Sequence, residues 1–436
     1  MVTVEIGNSY SQVLELPGTY LKELQKLLSY LPGGESAAYY SKYPPKRKSL
    51  VDKNGFFPTG LLPRVYSFLF VNKVHYFVKD TRKQPQDFVI TNAKFAHIPY
   101  KDQHKAVQAA AQYKRGGIVM PTGSGKSNVI AMIIDVLRVK TLVVVPSLEI
   151  KRQLEESFAK IFQAASSPVR VENIDSKALK SLTDYDCLII DECHHSAANT
   201  YQKLNKTSWN GIYYRFFLSA TFFRNQSNEH LLFEGLAGSP IFELTYKDAI
   251  AAGYIVPVES YYIEMPKTEV KGHTWATVYN QLVVNNFYRN NVISFVMLKL
   301  QAAEIPTLTL VKEIAHGKAL EKLSGVPFVN GQDAESRQYI ADFNAGRLKA
   351  LIGTTGVLGE GIDTRPCQYV IVAGLGKAKS AFMQQVGRSV RKYPGKETAK
   401  ILIFKDKSHK WLANHFNAQK KILIDEYGSA PAKLEV

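Results

Sequence analysis

Cysteine is scarce in this sequence: Cys187, Cys193 and Cys367 are the only three among 436 residues. An odd set with no Cys-x-x-Cys pair excludes a disulfide framework and a four-cysteine zinc site. It fits a reducing compartment, so a cytoplasmic location is expected. Long apolar runs are also lacking. Stretches such as Leu142–Pro146 are far too short to cross a bilayer, and no membrane association is expected. The start, Met-Val-Thr-Val-Glu, has neither a basic region nor an apolar core, so no secretory signal is expected. No short repeat or low-complexity stretch occurs. With 45% hydrophobic and 21% charged residues, the composition is that of a globular chain and not a disordered one.

Acidic residues are the minority charge. Lys plus Arg number 55 against 38 Asp plus Glu, a net charge of +17. An excess of this size points to a polyanion, nucleic acid first. It is uneven: net +6 over residues 1–97, +3 over 98–245 and +8 over 246–436. The first segment is rich in Tyr, Phe, Pro and Lys, including Tyr39, Tyr40, Tyr43 and the run Lys46, Arg47, Lys48. Those three basic residues are candidate nucleic-acid contacts, since Lys and Arg are seldom buried.

After Pro99 the pattern changes. Short β-branched runs alternate with helical periodicity, which argues for βαβ units and a parallel sheet. Strands are predicted at Gly117–Met120, Thr141–Val145, Cys187–Asp191 and Phe216–Ser219, with helices over Ser127–Val139 and Leu148 to about Phe162. The alternation restarts beyond residue 258. Strands are predicted at Thr307–Val311, Phe328–Val329, Ala350–Gly353 and Val370–Ala373, with helices over Ala334–Asn344 and Lys379–Arg391. Residues 265–291 fit neither pattern and read as an insertion. The fold class expected is α/β: two tandem α/β domains of parallel sheets flanked by helices, behind a small N-terminal α+β domain. The boundaries read as 1–97, 98–248, 249–404 and a helical tail over 405–436, with the two α/β domains joined near Ala249–Pro257.

Pro121-Thr122-Gly123-Ser124-Gly125-Lys126-Ser127 follows a strand and opens a helix, the context a phosphate-binding loop requires. Gly123 and Gly125 let the backbone curl so that its N–H groups face phosphates, with Thr122 and Ser124 completing the loop. Lys126 reaches the terminal phosphates, Ser127 holds Mg²⁺, and the helix N-terminus adds positive potential. The usual first Gly or Ala of the motif is Met120 here.

Leu188-Ile-Ile-Asp191-Glu192-Cys193-His194 is an apolar strand ending in two carboxylates. Asp191 can hold Mg²⁺ through its water shell, and Glu192 can polarise an attacking water in line with a γ-phosphate. The cofactors expected are ATP and Mg²⁺.

With these two motifs in place the chain resembles superfamily 2 helicases of the DExH type, which have two RecA-like domains. Ser219-Ala220-Thr221 looks like the motif that couples hydrolysis to nucleic-acid movement. Tyr100-Lys-Asp-Gln103 resembles the upstream motif whose glutamine reads adenine. Pro146-Ser147-Leu148 resembles a backbone-phosphate contact. Gly353-Thr354-Thr355 through Gly361-Ile362-Asp363 resembles the fifth motif; Thr354 and Thr355 would meet the nucleic-acid backbone, while Gly361 and Asp363 would lie near the nucleotide. Gln384-Gln-Val-Gly387-Arg388-Ser-Val-Arg391 fits the sixth. Helical spacing puts Gln384, Arg388 and Arg391 on one face, where the arginines would act as fingers on the transferring phosphoryl group. The resemblance covers about residues 98–405.

Phe57-Pro58-Thr59-Gly60-Leu61-Leu62, after a basic and aromatic stretch, looks like the N-terminal domain of phage branch-migration helicases of the UvsW type. That resemblance implies a monomeric motor on branched DNA: forks, Holliday junctions or R-loops. Two alternatives stay open. One is an RNA helicase or a double-strand DNA translocase of a restriction-type system. The other is a nucleic-acid binding or annealing module without motor activity, against which the intact Lys126, Glu192, Arg388 and Arg391 argue.

Overall fold

The computed structural model describes all residues except 33–44, 87–92, 97, 163–168, 193–197, 223–227, 273, 334, 359–363, 365, 375–378 and 436. The chain forms two compact units. The first holds Met1–Met120 and Gly125–Glu243, the second Pro121–Ser124 and Leu244–Val436.

The first unit begins with a four-stranded sheet in the order Phe56–Pro58, Tyr10–Leu14, Val2–Ile6, Tyr76–Asp80. Val2, Val4 and Ile6 alternate with half-buried residues, so one face of this sheet is a core face. Helices Gly18–Leu27 and Leu62–Val71 cover it with Leu24, Val65 and Leu69. The same cluster takes in Leu231 from the helix His230–Ala237, so the N-terminal elements share a core with the α/β layer. Gly60 is needed at that contact: a Cβ there would fall 1.9 Å from the Glu234 carbonyl oxygen. Arg64 then donates from Nε and Nη2 to the fully buried Glu234 carboxylate, at 2.6 and 2.9 Å.

The α/β layer of this unit is a six-stranded parallel sheet. Its order is Pro240–Glu243, Arg115–Val119, Tyr214–Ser219, Cys187–Asp191, Thr141–Val145, Val169–Asn173. Thr141–Val145 and Cys187–Asp191 are buried at every residue, as expected for strands covered on both faces. The strands at 141–145 and 187–191 and the helix Leu148–Phe162 fall where the periodicity put them.

The second unit has a seven-stranded sheet, with neighbouring strands parallel. The order is Phe328–Val329, Ala350–Thr354, Thr307–Val311, Tyr369–Val372, Ala399–Lys405, Val258–Glu264, Ala432–Lys433. The expected pair of parallel, helix-flanked layers behind a small N-terminal fold is therefore present. The helix Lys410–Tyr427 and the strand Ala432–Lys433 are built into this unit; the latter pairs with Tyr261 and Tyr262.

Residues 265–291 do carry regular structure: the helix Trp275–Tyr279, a π-turn over Asn280–Val284 and the start of the helix Phe287–Ala302. Their apolar residues pack on the C-terminal helix through Leu412 and Trp411. This partner lies more than a hundred residues away in sequence, which is why local periodicity was silent. The segment Ala249–Pro257 belongs to the packed unit as well. Ile255 and Val256 are buried, and the Val256 N–H donates to the Val390 carbonyl at 2.9 Å. Among the described residues no helix is long and apolar enough to cross a membrane, and no His, Cys, Asp and Glu cluster could hold a metal by itself.

Candidate active site

In the first unit the strand Cys187–Asp191 delivers its last residue, Asp191, to the C-terminal edge of the parallel sheet. Ligands of open α/β sheets bind at that edge. Asp191 is buried, and its Oδ1 accepts the N–H of Glu192 at 3.0 Å. Burial first, then the neighbouring Glu192 carboxylate, raise the Asp191 carboxyl above its usual range, while Lys126 opposes the shift. A nearby cation is what lets such a group ionise. Glu192 has φ +50°, a left-handed conformation that non-glycine residues seldom take. Strain of this kind turns the chain sharply and aims the second carboxylate back across the strand end.

The Glu192 carboxylate meets Lys126. Nζ and Oε1 are 3.2 Å apart, and both side chains are mostly shielded from solvent. Lys126 is the first residue of the helix Lys126–Leu137, whose preceding residue, Gly125, has φ +86°. Gly123 has φ +89°. Both are conformations that suit glycine, and a Cβ at Gly125 would also lie 2.2 Å from Gln103 Nε2. Gln103 is itself buried. Its Oε1 accepts the Tyr100 N–H at 2.9 Å, and its Nε2 donates to the Gly125 carbonyl at 3.4 Å. The glutamine braces the loop. Ser127 follows Lys126 in the first helical turn. Thr122, Gly123 and Ser124 fall among the residues grouped with the second unit, where the buried Ser124 hydroxyl donates to the Pro121 carbonyl at 2.8 Å.

Ser219 ends its strand. Its carbonyl accepts the Met120 N–H at 3.0 Å, and its hydroxyl accepts the Thr221 N–H at 3.2 Å. The Ser-Ala-Thr motif is thus anchored to the strand that feeds the phosphate loop. The Ser147 hydroxyl accepts the Ile150 N–H at 3.2 Å and caps the helix Leu148–Phe162; Pro146 sits beside it, half-buried.

In the second unit Thr354 ends a fully buried strand, and Thr355 begins the short helix Thr355–Leu358. Gly361 and Asp363 lie outside the described residues, as do Cys193, His194, Tyr39, Tyr40 and Tyr43. Gln384 and Arg388 lie on the helix Lys379–Ser389, Arg388 buried and Gln384 half-buried. That helix was expected to run through Arg391, but it stops at Ser389. The Ser389 hydroxyl donates to the Val386 carbonyl, and the Val390 carbonyl pairs with Val256. Pro394 and Gly395 just beyond prevent a further turn. Arg391 is therefore positioned by the turn after the helix and not by its face. Lys396, a little further on, is buried and pushed down to about 8 by desolvation, with Arg391 adding repulsion. A single lysine after Pro-Gly carries no signal of burial.

Two family models match the chain. The type III restriction enzyme res subunit model covers residues 86–181 and 170–224, and the helicase conserved C-terminal domain model covers 281–393. The chain belongs to the superfamily 2 helicases. It is 22% identical over 341 residues to the ATP-dependent DNA helicase uvsW of Enterobacteria phage T4, covering 70% of this chain and 67% of that protein. It is 27% identical to "Putative helicase 22" of the Sulfolobus islandicus filamentous virus over 58% of this chain, a match that spans about half (48%) of that protein. Among solved structures, Dbp5 of S. cerevisiae bound to RNA and ADP BeF3 superposes with a TM-score of 0.55. That match has 17% identity and covers 77% of this chain and 90% of that one.

Proposed function

We propose that this helicase couples ATP hydrolysis to the remodelling of branched DNA. The observation that carries the motor assignment is the Lys126–Glu192 pair beside buried Asp191, at the strand end that meets the phosphate loop. The residues present fit a magnesium-bound nucleotide. Two positive-φ glycines shape a cradle, Lys126 supplies an ammonium, and Ser127 and Asp191 offer the hydroxyl and carboxylate oxygens that Mg²⁺ prefers. The ion, when bound, offsets charge on the phosphates. Lys126 then exchanges its carboxylate partner for phosphate oxygens. Glu192, released from that pair, orients a water and takes its proton. Arg388 and Arg391 of the second unit stabilise the transferring phosphoryl group. Repeated binding and release then step nucleic acid along.

DNA is favoured over RNA by the relative from phage T4, which is named a DNA helicase. Branched substrates are favoured by the N-terminal fold and its exposed Lys46, Arg47 and Lys48. Thr354, Thr355, Pro146 and Ser147 would contact the backbone of the bound strand. The chain acts as a monomer in this reading. The restriction-subunit family model keeps one second reading in view, a double-strand translocase. One experiment tests both: ATPase rates with single-stranded DNA, linear duplex, four-way junction and RNA. Strongest stimulation by the junction supports the proposal. Equal stimulation by linear duplex supports the translocase, and stimulation by RNA alone overturns both.

A further inference from the structure

A groove of about 520 Å³ opens on the first unit where the N-terminal sheet meets the helix Ala198–Lys206, the helix that follows the Asp191–Glu192 pair. Tyr10 and Phe56 line it from the sheet, and Tyr30 and Lys48 from the two-stranded ribbon Ser29–Tyr30 and Lys48–Ser49. Gln202 and Lys206 line it from the helix. Three aromatic side chains thus face a cavity with an ammonium on each of two opposing elements. Lys206 Nζ stands 5.7 Å from the Tyr10 ring centroid. The Phe56 side chain is left 42% exposed.

Two acids stand near the two lysines, so the groove offers individual ammonium groups and no net positive field. The Asp52 carboxylate is held in place by its own turn, where its Oδ1 accepts the N–H groups of Asn54 and Phe56 at 2.8 and 2.9 Å. Glu229 lies on the Tyr30 side. The volume is within the range of sites that enclose a small ligand, roughly 300–1,000 Å³. Aromatic faces flanked by lysines are the chemistry of single-strand nucleic-acid platforms, in which bases stack and phosphates pair with cations.

We propose that this groove holds an unpaired base of the nucleic-acid substrate, stacked on Phe56 and Tyr30, with the adjoining phosphates on Lys48 and Lys206. The proposal rests on the DNA reading above and adds the place where an unpaired strand is read. It explains why a motor needs an N-terminal fold set against the helix next to its catalytic pair. A linear duplex offers no free base, whereas a fork or flap with an unpaired arm does.

The test uses the full chain and three labelled probes: a blunt duplex, the same duplex with a short thymidine flap, and that flap made abasic. The wild type should bind the thymidine flap more tightly than the abasic one, by about tenfold for a stacked base. Phe56→Ala should lose much of that preference and keep its affinity for the blunt duplex. Removing the base and removing the ring should not add, because the Phe56 contact is already lost once the base is gone. A 4-thiothymidine flap should photocrosslink to the peptides carrying Tyr30 or Phe56. Equal binding of both flaps by the wild type overturns the proposal even if Phe56→Ala fails to fold. So does competition by thymidine monophosphate as strong as by the flap, which would make the groove a free-nucleotide site. If duplex binding and DNA-stimulated hydrolysis persist without a flap preference, the groove assignment alone fails. If no nucleic acid binds at all, the DNA reading fails with it.

Discussion

In the proposed mechanism Lys126 and Glu192 divide the chemistry of hydrolysis, and their 3.2 Å pairing sets what each substitution removes. Lys126→Ala deletes the proposed phosphate contact together with the 3.2 Å pairing to Glu192. Glu192→Gln keeps shape and removes the base. Both variants should lose hydrolysis by at least ~10²-fold, in line with general-base contributions. Glu192→Gln should still bind nucleotide, as read by fluorescent-analogue titration. Turnover near the wild-type rate in either variant would remove these residues from the mechanism. Arg391 is a separate matter, because it sits past the helix end at Ser389. Arg391→Ala should leave nucleotide and DNA binding in place and slow hydrolysis by roughly 10³-fold or more, the scale of a finger acting on transition-state charge. Failure confined to DNA binding would make residues 384–391 a nucleic-acid face.

Elements join through a few polar ties, and these carry their own expectations. Arg64 clamps the N-terminal fold onto the helix His230–Ala237 through the buried Glu234. Arg64→Ala strands that carboxylate with the Ser239 hydroxyl, which donates to it at 2.8 Å. Breaking a buried pair costs about 3–5 kcal/mol, and partial exposure of Arg64 moves the expectation to about 2–3 kcal/mol. Denaturant titration reads it, and a loss under about 0.5 kcal/mol would show that the clamp is idle. In the second unit His316 is buried. Its Nε2 lies 2.9 Å from Asn290 Oδ1, whose amide is oriented by donating to the Val284 carbonyl. Desolvation, then Arg289, push the ring down to about 3, against about 6.5 unfolded. Between those values the unfolded chain binds more protons, so stability falls as pH falls, by at most about 1.4 kcal/mol per unit for one group. The slope of stability between pH 7 and about 5 should be shallower in His316→Gln; equal slopes would mean the ring protonates without unfolding. These ties were invisible in sequence, whereas the strands at 141–145, 187–191 and 307–311 were plain. Continuous β-branched runs announce a doubly covered strand locally. Arg64 with Glu234, or Trp275 with Trp411, meet only after the chain has folded. The candidate catalytic residues were legible because the phosphate-loop pattern and the Asp-Glu strand end are local motifs. The groove of Tyr10, Tyr30 and Phe56 was not, because three distant segments build it.

For the molecule as a whole, the net charge of +17 is the feature that bears most directly on the proposed DNA binding. Each phosphate neutralised by a lysine or arginine releases condensed counterions, so log affinity falls with log salt at about 0.9 per contact on duplex DNA. The basic ribbon around Lys46, Arg47 and Lys48 offers three such contacts at most, and its residues are exposed. They are not equivalent. Arg47 Nη2 donates to the Ser29 carbonyl at 2.9 Å and Nε to the Ser29 hydroxyl at 3.2 Å, which ties the ribbon's two strands together. Lys46 and Lys48 have no such structural duty among the described contacts and are the better candidates for phosphate contact. Lys46→Ala with Lys48→Ala should therefore lower the salt slope by about 1.8, while Arg47→Ala alone should lower it by less than about 0.9 and loosen the ribbon instead. The measurement is affinity for a four-way junction across a salt series. Because the contacts are to phosphates, the loss should be the same for every sequence tested. An unchanged slope in the double variant would assign the excess charge to other faces of the molecule, with the second unit's net +8 over residues 246–436 the next to test.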